Sequence, residues 1–77
     1  MKKVKKIKIK INGKITKVKD EIKLSSLLKD LKIPIKKVAI ELNQEIINKT
    51  ILNKIYLKKN DRIEIVHFIG GGWGEIR

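Results

Sequence analysis

Near the end of the chain, within HFIGGGWGEIR, Gly70, Gly71 and Gly72 stand in a row. Three bare backbone units in succession suit two chemical tasks. One is a flexible linker into a further segment. The other is a slender tail that carries a carboxylate into a partner's closed catalytic site. For that task no Cβ obstructs the channel, and glycine's wide φ/ψ range lets the tail bend differently in each partner. Measured from Phe68, residues 69–72 reach at most about 13 Å, enough to thread into a neighbouring protein.

No other group in the sequence offers competing chemistry. His67 is the single histidine, nothing pairs with it, and one imidazole builds no metal site. Cysteine is absent, which removes thiolate nucleophiles, Cys-based metal sites and disulfides. Glu41, Glu45, Asp61 and Glu64 form no convergent pair that spacing reveals. No phosphate-binding glycine-lysine motif is present, so any ATP belongs to a partner. No bound cofactor and no metal is expected from these residues. Phe68 and Ile69, apolar residues beside the glycines, are the candidates for partner docking, with core packing an equal role for Phe68.

The bulk composition is consistent with this. Seventy-seven residues make one small domain with a modest core and no room for a deep cavity. The net charge of +12 raises a nucleic-acid or acidic partner. A low-GC genome rich in lysine and isoleucine accounts for the same charge without one. The lysines are scattered, and Tyr56, Phe68 and Trp73 are the whole aromatic set, too few for base stacking. Nucleic acid is therefore not the expected partner. No apolar run reaches transmembrane length, and MKKVKKIKIK leads into alternation rather than into the apolar core of a signal peptide. A reducing cytoplasm and a monomer are expected.

The elements that must position the tail follow from periodicity. Residues 4–11 read as a half-buried strand, with Ile7, Ile9 and Ile11 on one face and Lys6, Lys8 and Lys10 on the other. Asn12-Gly13 marks a type I′ hairpin turn, and residues 14–19 return, with Ile15 expected inward. Leu24, Leu27, Leu28 and Leu31 then recur at helical spacing, with Ser25 and Ser26 placed to cap the first turn and Pro34 ending the helix by about Lys32. Residues 38–43 read as a strand, 43–45 as a tight turn, 46–47 as a very short strand and 49–53 as a turn or single helical turn. A short extended piece near Tyr56 and a turn at 58–61 lead into a last strand at 62–68. Ile63, Ile65 and His67 share one of its faces, and Glu64, Val66 and Phe68 the other. One helix after a hairpin needs a sheet to cover. The arrangement that turns every apolar face inward is α+β: a mixed sheet of four to five strands wrapped around one short helix, the β-grasp. There the first and last strands run parallel at the centre, and the last strand is expected to bury both faces.

VAIELNQEII, followed by KKNDRIEIVHFIGGG, resembles the ThiS family of small ubiquitin-like sulfur carriers of thiamin thiazole synthesis. The NG hairpin and LSSLL helix start fit as well, and the resemblance runs from Lys6 to Gly72. DRIEIVHFIGGG is its specific part. The resemblance implies a carrier, not an enzyme, with a ubiquitin-like domain at 1–69 and a flexible glycine-rich tail at 70–77. It implies that Gly72 bears the carboxylate, preceded by Gly71 and Gly70. A ThiF-like adenylyltransferase would use ATP on that carboxylate, a persulfide donor would convert it to a thiocarboxylate, and a ThiG-like thiazole synthase would take the sulfur.

The sequence departs from the family where WGEIR, residues 73–77, follows the glycines. Gly72 as written is held in a peptide bond and cannot be adenylated. The extension is a segment trimmed from a precursor, an incidental gene-end addition, or a sign that the carrier role has been lost. Two other functions compete: a molybdopterin-type sulfur carrier with the same chemistry and another acceptor, and a basic RNA-binding β-grasp module of the TGS type.

Overall fold

Isoleucine alternating with lysine draws the first segment out as β1 (Lys6–Ile11), and β2 (Lys14–Lys19) returns beside it antiparallel. The computed structural model describes residues 5–68. Asn12 and Gly13 join the two strands with φ of 49° and 84°, both in the left-handed region that a type I′ turn demands. Helix α1 (Leu24–Asp30), β3 (Val38–Leu42), β4 (Glu45–Ile46) and β5 (Arg62–His67) follow. The sheet order is β2-β1-β5-β3-β4, with β5 parallel to β1 and antiparallel to β3. The first and last strands are thus neighbours in the middle, as the β-grasp arrangement requires.

The helix lies across one face of this sheet. Leu24, Leu27 and Leu28 are buried against Ile7, Ile9, Val38, Ile40, Ile63 and Ile65. Each such side chain contributes about 1.5–3 kcal/mol of burial. That packing matters because a helix of seven residues has little stability of its own. Leu52 and Leu57, from the weakly patterned stretch before β5, complete the core. Leu52 sits in a 3₁₀ segment (Lys49–Lys54) that Asn48 caps by accepting the Thr50 N–H at 2.9 Å. Among the described residues no helix is long and apolar enough to cross a membrane.

Several expectations are corrected. Ile15 is 67% exposed, because its register partner is Lys10, and that pair lies on the open face of the hairpin. Val18, opposite Ile7, is the inward residue of β2. The last strand does not bury both faces: Arg62 and Glu64 are exposed, and Val66 and Phe68 are only half-buried, since among the described residues no layer covers that side. The helix is capped by backbone rather than by serine. Lys23 holds the N-cap position without a side-chain bond, and the Leu24 N–H donates to the Ile55 carbonyl at 2.8 Å. The helix ends at Asp30, within the expected limit of Lys32, but Leu31 falls at the C-cap and is exposed rather than part of the buried stripe, and Lys32 then reverses the chain with a φ of 58°. The short strand falls at Glu45–Ile46, one residue early, because Asn43 and Gln44 form a second turn with positive φ at both positions. An unforeseen 3₁₀ turn, Ile35–Lys37, bridges Pro34 to β3.

Candidate functional site at the end of the central strand

The tail departs from β5, so the site begins with what holds that strand. Two hairpin asparagines grip it from opposite sides. β1 ends alongside Ile63, and there the Asn12 N–H donates to the Ile63 carbonyl at 2.8 Å. The Asn12 side-chain oxygen then accepts the Ile65 N–H at 2.7 Å, extending the ladder where β1 has already turned away. Across the strand, the Asn43 N–H donates to the Arg62 carbonyl at 2.7 Å and Asn43 Oδ1 accepts the Arg62 N–H at 2.9 Å. Asn43 Nδ2 donates to Asp61 Oδ1 at 3.0 Å, and Asp61 Oδ2 accepts the Lys58 N–H at 2.7 Å. Asp61 therefore shapes the turn into β5.

At the far end the Phe68 N–H donates to the Lys37 carbonyl at 2.9 Å, the last described tie before the tail. The Lys49 ammonium lies 5.5 Å over the Phe68 ring, within cation–π range. A shallow depression opens here, with Ala39, Ile46, Ile47, Lys49 and Phe68 among its lining. Ile46 is 77% exposed within it. Phe68 is thus half-buried and sits on the open sheet face beside apolar surface, which suits docking as well as packing. His67 is exposed opposite Val38 in the β3 ladder. Glu41 and Glu64 are direct cross-strand partners on the open face. Among the described residues no cluster of His, Cys, Asp or Glu suits a metal ion.

Ile69, Gly70, Gly71, Gly72 and residues 73–77 lie outside the described residues, as does the expected domain boundary at 69/70. Sequence reading missed Asn12, Asn43, Lys37 and Lys49 as elements of this site. The signal for the asparagines was their place in two-residue turns, where Asn tolerates positive φ and its side chain remains available to bond. Nothing local announces Lys37 or Lys49, whose proximity to Phe68 is purely tertiary.

A model described as the ThiS family matches residues 4–72. The chain belongs to the ThiS family. This ThiS-family chain is 42% identical over 65 residues to the sulfur carrier protein ThiS of Bacillus subtilis strain 168, covering 83% of the chain and 98% of that protein. It is also 36% identical over 66 residues to a thiazole synthase of Magnetococcus marinus, covering 86% of the chain. The match takes in 20% of that enzyme, so the chain spans a fifth of the length of the thiazole synthases it resembles. Among solved structures, the thiamine biosynthesis protein ThiS of Geobacter metallireducens matches with a TM-score of 0.76 and 29% identity, over 86% of this chain and 100% of that one. The architecture is accordingly the β-grasp, a mixed five-stranded sheet around one helix.

Proposed function

We propose that this protein is a sulfur carrier of thiamin thiazole formation, a substrate handed between enzymes rather than a catalyst. The observation that carries the reading is where the family match stops: at residue 72, the last of the three glycines. The near-complete coverage of the Bacillus sulfur carrier supports it. Once the bond between Gly72 and Trp73 is hydrolysed, the Gly72 carboxylate attacks the α-phosphorus of ATP on a ThiF-like adenylyltransferase and pyrophosphate leaves. Sulfur from a persulfide donor then displaces AMP. When a thiol has reduced the link to the donor, a thiocarboxylate remains for a ThiG-like thiazole synthase. The folded domain supplies a rigid handle, and Gly70 and Gly71 a tail narrow enough to enter each partner in turn.

The test compares the chain ending at Gly72 with the chain ending at Arg77, each incubated with ATP and a ThiF-like enzyme. Pyrophosphate release is expected from the first alone. With a sulfur donor present, its intact mass should rise by one oxygen-to-sulfur exchange. Release from the longer chain without trimming, or from neither, would reject the reading.

A further inference from the structure

Lysines of two segments come to the Phe68 end of the sheet, Lys37 through its backbone and Lys49 through its ammonium. Lys37 lends its carbonyl to the Phe68 N–H, and Lys49 stands over the Phe68 ring. The depression beside Phe68 is one of two that involve these lysines. The other lies where α1 meets residues 33–37, and Ile33, Pro34 and Ile35 line it together with Lys29, Lys36 and Lys37. Among the described residues no Asp or Glu lines either depression. Among the described residues, the charged side chains that line the two recesses are all lysines, with Ser25 and Ser26 beside them in the second.

We propose that Lys36, Lys37 and Lys49 form a docking collar for carboxylates at the mouth of the channel that receives the glycine tail on the adenylating partner. The recess at Ile46, Ile47 and Phe68 takes an apolar side chain of the same partner. The inference rests on the sulfur-carrier reading and names the chemistry of the surface that reading requires. A protein occupant fits better than nucleic acid. The recesses are largely apolar, and Phe68, the one aromatic residue lining them among the described residues, already carries the Lys49 ammonium on its ring, whereas nucleic-acid binding draws on open aromatic faces for stacking. Complementary charge around an apolar patch speeds encounter and fixes orientation. Orientation matters here, since the tail must enter a channel end-on.

The molecule contains its own control. Lys6, Lys8 and Lys10 of β1 face the open side together with Lys17 and Lys19 of β2, and Arg62 stands beside Lys10. Arg62 begins the strand whose end leads to the tail, about 20 Å from Phe68 at 3.3 Å per residue. Reversing two lysines there changes net charge as much as reversing two in the collar.

The test measures the dissociation constant of the full chain with the ThiF-like enzyme at low and moderate salt. Three proteins are compared: wild type, Lys37→Glu with Lys49→Glu, and Lys6→Glu with Lys17→Glu. All three are checked for folding by circular dichroism. The collar variant should bind about tenfold or more weakly at low salt and lose most of its salt dependence, while the β1–β2 variant stays within about threefold of wild type. Equal weakening of both variants would show that net charge alone steers association and would overturn the collar. So would unchanged binding, no binding by wild type, or collar-dependent binding of an RNA oligomer with enzyme binding intact. Collar-dependent binding without pyrophosphate release from the chain ending at Gly72 would keep the collar and reject the carrier reading.

Discussion

The Asn12 side chain accepts the Ile65 N–H at 2.7 Å at the point where β1 gives way to its turn. Its own φ of 49° is one that Asn tolerates better than most residues. Truncation therefore removes two things at once: the acceptor for an amide of the central strand, and a residue suited to the left-handed region. Asn12→Ala should cost about 1–3 kcal/mol in urea denaturation, most of it from the unpaired Ile65 amide. Gly13→Ala, at φ 84° with open space around its Cβ position, tests backbone conformation alone. A smaller loss at Asn12 than at Gly13 would show that the turn rather than the side-chain bond holds the strand.

At the scale of elements, β2 shows how register overrules local composition. Its two branched apolar residues, Ile15 and Val18, are three apart, and side chains on a strand alternate, so they cannot share a face. Pairing with β1 decides between them: Val18 meets Ile7 over the helix and Ile15 meets Lys10 in solvent. Val18→Ala should destabilise by about 1–2 kcal/mol through lost burial, whereas Ile15→Thr should stay within about 0.5 kcal/mol. Thermal melts of the two variants would check the ordering, and the reverse order would mean that the hairpin pairs one residue out of register. The helix likewise takes its start from a neighbour. Ile55 supplies the carbonyl for its first amide, so α1 and the segment after the 3₁₀ turn order together.

For the whole molecule the net charge of +12 is a standing repulsion. Lys6 faces Lys19 and Lys8 faces Lys17 across adjacent strands, an arrangement that destabilises a sheet. Lysine on the edge strand β2 discourages pairing with other chains, but β1 is an interior strand and gains no such protection. Salt that screens these contacts should stabilise the fold. Raising NaCl from 20 to 300 mM should lift Tm by about 4–8 °C, the effect of ~1 kcal/mol in a domain of this size. A Tm that falls with salt would indicate that the lysines are offset by carboxylates and are not a net burden. The same salt is expected to weaken partner docking, so stability and association should move in opposite directions.

How much could be read without coordinates follows the range of each interaction. The hairpin at Asn12-Gly13, the helix stripe of Leu24, Leu27 and Leu28 (though not its expected fourth member, the exposed Leu31), and the alternation of Val38 with Ile40 and of Ile63 with Ile65 are local patterns of backbone and period, and the sequence by itself determined them. The three glycines were equally plain, because their chemistry is the absence of a side chain. Tertiary structure decided which apolar residues face inward when the pattern is ambiguous, as at Ile15 and Val18, and that Leu52 and Leu57 enter the core. It also decided that Asn12 and Asn43 hold β5 from two sides and that Lys37 and Lys49 meet Phe68. Each of these joins residues at least 19 positions apart, as in the Asn43–Arg62 bond, and one reaches 53. Periodicity reports which residues share a face of their own element. Which face of which neighbour they meet is settled only when the strands take their places in the sheet.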